Sequence, residues 1–166
     1  IDDLLPPDVL DRVLTEFPDD LTEGAEMWDR AQERFKVQHM PDNLSPAGRR
    51  LFSAFNSLAF VRLLENITGI HGLIPDPYFF GAGLHEIRQG GHLSIHADFN
   101  HHKPMNLERR INVLIYLNRD WKDEYGGQLE LWDRKMTACY KSIVPLFNRC
   151  VIFNTTEDSN HGNPQP

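Results

Sequence analysis

Residues 90–100 of the chain read GGHLSIHADFN, a run in which apolar and polar side chains alternate. Successive side chains of an extended strand point to opposite faces, so Leu93 and Ile95 share one face, while His96 and Asp98 share the other. An imidazole and a carboxylate therefore lie side by side at the end of a predicted strand. This spacing is suited to two ligands of one metal ion.

A second histidine from elsewhere in the chain would complete a set of two imidazoles and one carboxylate. The candidate is His161, which follows a strand-and-loop segment near the end of the sequence. Two histidines and one carboxylate form the facial triad of non-haem Fe(II) oxygenases. A His-x-Asp pair alone is weak evidence in a chain with eight histidines and 24 acidic residues, and a solvated surface pair is the competing interpretation.

Composition and charge restrict the remaining possibilities. A chain of 166 residues with 40% hydrophobic content predicts a single domain over residues 1–166. The formal net charge of −7 argues against a nucleic-acid partner, whose binding surface would be basic. No apolar run is long enough for a membrane span, so no membrane partner is expected. Cys139 and Cys150 lack the spacing of metal ligands, and we expect a reducing, cytoplasmic location.

Residues 1–74 are predicted to form a helical buttress. Apolar residues at helical spacing indicate a first helix that ends before Pro18. The spacing of Trp28, Ala31 and Phe35 predicts a second amphipathic helix.

A long third helix is predicted to begin after Ser45 and to end near Gly69. Ser45 would be its N-cap, and a proline occupies the next position, the first of the helix.

From residue 75 onward, short runs of β-branched and aromatic residues alternate with turn residues, as in an antiparallel β sandwich. The predicted strands are Gly83–Gln89, Leu93–His96, Asn112–Asn118, Gln128–Trp132, Thr137–Ser142 and Cys150–Asn154, with a further segment near His161. The fold class is therefore α+β, with helices against one face of a sandwich.

Three segments support a site at His96 and Asp98. In residues 109–118, Asn112 and Tyr116 share a face and place polar groups above an apolar cavity. A glycine pair in residues 125–131 leads directly into a strand, and residues 147–153 form a strand that runs into the loop before His161.

In this order, the motifs resemble the 2-oxoglutarate/Fe(II)-dependent oxygenases, and among them the prolyl-4-hydroxylase-like branch. They are His96-x-Asp98, Arg109 through Tyr116-Leu117-Asn118 with Trp121, Gly126-Gly127-x-Leu129, Pro145 through Phe153, and His161. The resemblance covers about residues 83–166. It implies a double-stranded β-helix (jelly-roll, cupin-like) core over residues 75–166, buttressed by the N-terminal helices.

The resemblance also implies roles for individual residues. His96, Asp98 and His161 correspond to the ligands of Fe(II). Tyr116 corresponds to the residue whose phenol binds the carboxylate of 2-oxoglutarate, and Leu129 to the apolar wall beside it; Asn112 is a further cofactor-binding candidate on the same face as Tyr116. The implied reaction consumes 2-oxoglutarate and O2, hydroxylates an aliphatic C–H bond, and releases succinate and CO2. The partner would be a small-molecule or peptidyl substrate, such as a prolyl group or a small metabolite.

One departure from the family pattern leaves alternatives open. The family places an Arg or Lys nine or ten residues after the distal histidine, beyond Pro166, so we expect a chain cut short before its last strand and weak binding of 2-oxoglutarate. Another cation could substitute; Arg88, Arg109 and Arg110 are the nearest in sequence. The alternatives are a metal-dependent cupin-like enzyme that does not use 2-oxoglutarate, and a non-catalytic jelly-roll binding module.

Overall fold

The chain folds into three α-helices and ten β-strands, counted over residues 1–19 and 24–164, which are those that the computed structural model describes. The helices are α1 (Pro7–Thr15), α2 (Pro46–Phe55) and α3 (Leu58–Thr68). The strands are β1 (Ala25–Arg30), β2 (Glu33–His39), β3 (Leu84–His96), β4 (His101–His102), β5 (Leu107–Glu108), β6 (Ile111–Ile115), β7 (Leu129–Trp132), β8 (Cys139–Ile143), β9 (Cys150–Asn154) and β10 (His161–Asn163). Short 3-10 helices cover Pro41–Asn43 and Asp123–Tyr125.

The strands form mainly antiparallel sheets. The largest sheet has six strands in the order β1-β2-β3-β10-β7-β8, so the last of the described strands, β10, is inserted between β3 and β7. Strands β6 and β9 pair along their whole length, from Ile111 opposite Asn154 to Ile115 opposite Cys150. Strands β4 and β5 form a short hairpin. Helices combined with mainly antiparallel sheets agree with the mixed architecture that the sequence predicts.

Contacts divide the chain into two compact units. The first comprises residues 1–10, residues 27–36 and the chain from Glu86 onward, and its buried side chains include Leu129, Cys150 and Val151. The second comprises residues 11–26 and 37–85, as far as they are described, and holds α2 and α3. Its buried apolar side chains are Val13, Val37, Leu44, Ala47, Leu51, Val61, Leu64 and Leu84.

The prediction of a second helix around Trp28 and Phe35 is wrong, because this segment forms strands β1 and β2. The backbone N–H of Ser94 donates to the carbonyl of Gln32 at 2.8 Å, so the segment takes its hydrogen bonds from the sheet. Phe35 has a φ of 50°, which a right-handed helix does not allow. The three apolar residues fit a helical period, but pairing with β3 overrides that local pattern. Residues 1–74 are therefore not wholly helical.

The predicted long third helix is two helices. Ser45 caps α2 as expected, since its hydroxyl accepts the N–H of Gly48 at 3.2 Å. The chain breaks at Ser57, whose hydroxyl accepts the N–H of Phe60 at 3.3 Å and starts α3. A serine side chain competes for backbone donors in this way, which the apolar spacing did not reveal. Gly69 ends α3 with a φ of 71°, as predicted.

The remaining helix and strand predictions agree with the structure in most places. Helix α1 ends before Pro18, and β9 has the predicted bounds. The two strands predicted on either side of Gly90 form a single strand, β3, in which Gly90 adopts a φ of 79°. Within residues 1–19 and 24–164, each helix lacks either the length or the apolar character needed to cross a bilayer.

Candidate metal centre

Three side chains with metal-ligating atoms converge in the first unit. His96, Asp98 and His161 each offer one ligand atom, and these atoms all lie within 4.8 Å of one another. The side chains of His96 and Asp98 are 20% and 21% exposed, and that of His161 is 6% exposed. The structure thus brings together residues 65 positions apart in sequence, in the arrangement that the spacing and the resemblance predict.

The pairing of β10 with β3 places His161 beside His96. The two histidines are opposite each other in the antiparallel register, so their rings point to the same face, with centroids 4.7 Å apart. The adjacent Gly162 makes this close approach possible. A Cβ at Gly162 would lie 2.6 Å from the carbonyl oxygen of Leu93. Any larger residue would push β10 away from β3 and move His161.

Both histidines are oriented by the same backbone contact. The Nδ1 of His96 lies 2.9 Å from the carbonyl oxygen of Ser94, and the Nδ1 of His161 lies 2.9 Å from that of Ser159. A carbonyl oxygen only accepts, so each Nδ1 carries the hydrogen. In the neutral ring Nε2 then carries a lone pair, as a metal ligand requires. A hydrogen bond on the second ring nitrogen is the usual way in which proteins fix a metal-binding histidine.

These lone pairs converge with a carboxylate, which creates a need for positive charge. His96 Nε2 lies 3.3 Å from Asp98 Oδ1, and His161 Nε2 lies 3.6 Å from Asp98 Oδ2. When His96 is protonated, its Nε2–H can donate to Asp98, and this hydrogen bond raises the pKa of His96, although burial opposes the shift; burial lowers the pKa of His161. Burial alone would raise the pKa of Asp98, but His96 and the charge of Arg109 lower it below the ordinary value. The group thus presents one anion and two lone pairs to a common point, where a cation is stabilised.

Two residues of the β6 region contact the Asp98 carboxylate, and sequence reasoning missed both contacts. The amide Nδ2 of Asn112 donates to Asp98 Oδ2 at 2.9 Å, and Arg109 Nη1 lies 3.2 Å from the same oxygen. The prediction placed Asn112 beside the cosubstrate and left Arg109 without an orientation. The sequence did contain a signal for these contacts. An arginine and an asparagine lie three residues apart near the start of β6, after the His-x-Asp loop.

Of the other predicted site residues, Tyr116 directly follows β6 and Leu129 begins β7. Tyr116 is four residues beyond Asn112 on the same face, and burial raises the pKa of its phenol, which stays a neutral donor. Leu131 is opposite His161 in the register of β7 and β10, so Leu129, two residues earlier, shares that face; it is 6% exposed. Their roles toward a cosubstrate, like that of Asn112, stay predictions.

The two other arginines considered as substitute cations are placed differently from Arg109. Arg88 lies 3.7 Å from Glu86, within a strand of the same sheet. Arg110 is exposed, and its backbone carbonyl accepts the N–H of Thr155 at 3.0 Å. Of the three, Arg109 is the arginine for which the structure gives a direct contact with the His–Asp–His group.

The family comparison agrees with this geometry. A family model described as the 2OG-Fe(II) oxygenase superfamily matches residues 82–166, which is just over half of the chain. The chain belongs to this superfamily. The matched region contains all three converging residues, and membership implies Fe(II), 2-oxoglutarate and O2 as the reactants of an oxygenase.

The residues of the site fit such an ion. Two imidazoles and one carboxylate are the donor set of non-haem Fe(II) oxygenases, and they occupy one side of an ion and leave positions open on the other. The orientation of both rings through Nδ1 leaves Nε2 for the metal. His96, Asp98 and His161 are therefore the residues of this oxygenase that would hold Fe(II).

Proposed function

We propose that this oxygenase is an Fe(II)- and 2-oxoglutarate-dependent hydroxylase of the prolyl-4-hydroxylase-like branch. Its substrate would be an aliphatic C–H group, either in a prolyl residue or in a small metabolite. The observation that carries the proposal is the convergence of His96, Asp98 and His161 within 4.8 Å, inside the region that matches the superfamily. When bound, Fe(II) and 2-oxoglutarate would supply the oxidation, with one atom of O2 entering the substrate and the other the succinate that forms with CO2.

The protein contributes position and exclusion of water to this reaction. His96 and His161 are held by the carbonyl oxygens of Ser94 and Ser159, and they keep their Nε2 atoms directed at one point. Both rings are largely buried, and Phe153 packs edge-on against His161 with centroids 4.8 Å apart. This side of the site is therefore largely shielded from water, which strengthens the interaction of its charges with a bound ion.

Tyr116 and Leu129 are the proposed cosubstrate residues. The phenol of Tyr116 stays protonated because burial raises its pKa, so it can donate a hydrogen bond to a carboxylate of 2-oxoglutarate. Leu129 shares a face with Leu131, which is opposite His161, and offers apolar contact to the carbon chain. Losing a single neutral donor would weaken 2-oxoglutarate binding by roughly 2- to 10-fold in a Tyr116→Phe variant.

The proposal also covers the fold of the protein and its location in the cell. The paired β6–β9 ladder and the six-stranded sheet are proposed to form the two halves of a double-stranded β-helix within a single oxygenase domain over residues 1–166. A cytoplasmic location is proposed because Cys139 and Cys150 are both free thiols, as in a reducing compartment.

Anaerobic loading of the full chain tests the function. We expect one Fe(II) per chain, a weak visible charge-transfer band when 2-oxoglutarate is added, and succinate when O2 is admitted. Iron binding without the band would overturn the proposal in favour of a cupin-like metalloenzyme. The absence of specific metal uptake would overturn it in favour of a non-catalytic binding module. Candidate peptides and metabolites are then screened by mass spectrometry for the gain of one oxygen atom.

A further inference from the structure

We propose that Arg109 and Asn112 form a clamp that holds one oxygen of the Asp98 carboxylate and leaves the other to the metal. The inference rests on the proposed function, since it concerns how this site would bind its ion. The two residues are positioning residues, because they act through Asp98. Their effect is to impose coordination by a single carboxylate oxygen, which keeps one further position of the ion open.

The contacts distinguish the two oxygens of Asp98. Oδ2 accepts the amide of Asn112 at 2.9 Å and lies 3.2 Å from Arg109 Nη1. A carboxylate oxygen has about two lone-pair sites, so these two donors occupy those of Oδ2. Oδ1 faces His96 Nε2 at 3.3 Å, where a lone pair rather than a donor is presented when the ring is neutral. Oδ2 also lies 3.6 Å from His161 Nε2, but its two donors must be given up before it can bind an ion, so Oδ1 is the oxygen that we assign to the metal position.

The clamp is itself held in place from several directions. Arg109 Nη2 donates to Asn112 Oδ1 at 3.1 Å, so Arg109, Asn112 and Asp98 form a closed triangle of polar contacts. The guanidinium also lies over the ring of Phe99, with Cζ 4.5 Å from its centroid. The side chain of Arg109 is 20% exposed, so these contacts lie largely away from water.

The hairpin of β4 and β5 explains how Arg109 returns to Asp98. His101 is opposite Glu108 in this hairpin, and the N–H of Arg109 donates to the carbonyl of Asn100 at 2.7 Å. The chain thus leaves the end of β3, turns, and comes back within hydrogen-bonding distance before β6 begins. The loop after the metal strand therefore carries its own support for the carboxylate.

A clamped carboxylate has a consequence for the open face of the ion. An aspartate can bind a metal through one oxygen or through both. Coordination through both oxygens would use one more position beside the two histidines, and would leave fewer for a chelating cosubstrate and O2. Two donors on Oδ2 disfavour that mode, because the oxygen would have to give them up to reach the ion.

Metal binding and infrared spectroscopy test the clamp without turnover. The variants are Asn112→Ala and Arg109→Gln, and the matched control is Arg110→Gln, which changes the exposed neighbouring arginine. In anaerobic titrations with Co(II), we expect the dissociation constant to rise about 10- to 100-fold in the two clamp variants and to stay unchanged in the control. Arg109→Lys, which keeps the charge but not the paired donors, should recover only part of the loss.

Infrared difference spectra between the Co(II)-bound and the metal-free protein show whether Asp98 binds the metal through one oxygen or through both. We expect the wide separation of the two carboxylate stretches that marks one-oxygen binding in the wild type and the control, and a narrower separation in the clamp variants. A narrow separation in the wild-type protein would overturn the clamp even if a variant failed to fold. Unchanged affinity and spectra in both folded variants would also overturn it. Failure of the wild type to take up one Co(II) would instead overturn the proposed function.

Discussion

Two largely buried carboxylates, Asp98 and Glu65, show how different surroundings give the same group different uses. Glu65 lies near the end of α3 in the second unit, and its Oε1 accepts the N–H groups of Gly72 at 2.6 Å and Leu73 at 3.0 Å. Its Oε2 lies 3.4 Å from Arg62. Each oxygen of Glu65 thus has a donor, so the residue joins the helix to the loop that follows Gly69.

Asp98 differs because only one of its oxygens is surrounded by donors. Oδ2 is held by Arg109 and Asn112, and the Nε2 atoms of His96 and His161 face Oδ1 and Oδ2, respectively. A carboxylate that faces lone pairs has an unmet need for a cation, and a carboxylate that faces N–H groups does not. The comparison teaches that burial does not distinguish a metal ligand from a structural anion, whereas the kind of neighbour does.

The largest expected effect comes from removing Asp98. Asp98→Ala should weaken Fe(II) or Co(II) binding by more than about 100-fold, which exceeds the usual effect of losing a residue that only supports a ligand. Glu65→Ala is the matched change at the structural carboxylate, and it should leave the metal dissociation constant unchanged in folded protein. Equilibrium metal titration compares the two variants. Equal losses in both would show that the site depends on overall packing rather than on this donor set.

For the stability of the fold, we expect the opposite order: a change at Glu65 should matter more than a change at Asp98. Glu65→Gln keeps the size of the side chain but removes the charge that accepts the N–H groups of Gly72 and Leu73, so the midpoint of urea unfolding should fall clearly. In metal-free protein, Asp98→Asn should change this midpoint less, because burial of the Asp98 anion offsets more of the stabilisation that His96 and Arg109 give it. Unfolding followed by circular dichroism measures both. A larger loss for Asp98→Asn would contradict the distinction between the two carboxylates.

The contribution of Glu65 should depend on pH in a definite direction. The N–H of Leu73 is the main cause of its lowered pKa; burial opposes the shift, and the N–H of Gly72 and the charge of Arg62 add to it. A carboxylate whose pKa is lower in the folded state stabilises the fold above the unfolded pKa, about 4.3, and loses this effect as the pH falls through the folded pKa. The difference in unfolding midpoint between wild type and Glu65→Gln should therefore be constant near neutral pH and shrink below about pH 4. A difference that grew on acidification would contradict the assignment.

The smallest effect is expected at the arginine that accompanies Glu65. The side chain of Arg62 is 71% exposed, compared with 20% for Arg109. An exposed ion pair contributes little and is screened by salt. Arg62→Gln should shift the unfolding midpoint less than Glu65→Gln does, and the shift should disappear at high salt. A salt-independent loss as large as that of Glu65→Gln would show that Arg62 supports the loop in another way.

The sequence alone determined the chemical content of the site and much of the strand pattern. Alternation along residues 90–100 placed His96 and Asp98 on one face, because the period of a strand is a local property of the backbone. The caps at Ser45 and Gly69 were likewise readable, since they depend on a side chain and a backbone conformation at a single position.

The tertiary structure decided what local patterns leave open. Strand β2 looked helical by spacing and became a strand because β3 supplied its hydrogen-bond partners. The inserted position of β10 placed His161 beside His96, and the β4–β5 hairpin brought Arg109 to Asp98. These outcomes depend on which distant backbone groups pair with each other, and pairing is settled by the free energy of the whole sheet rather than by any one segment.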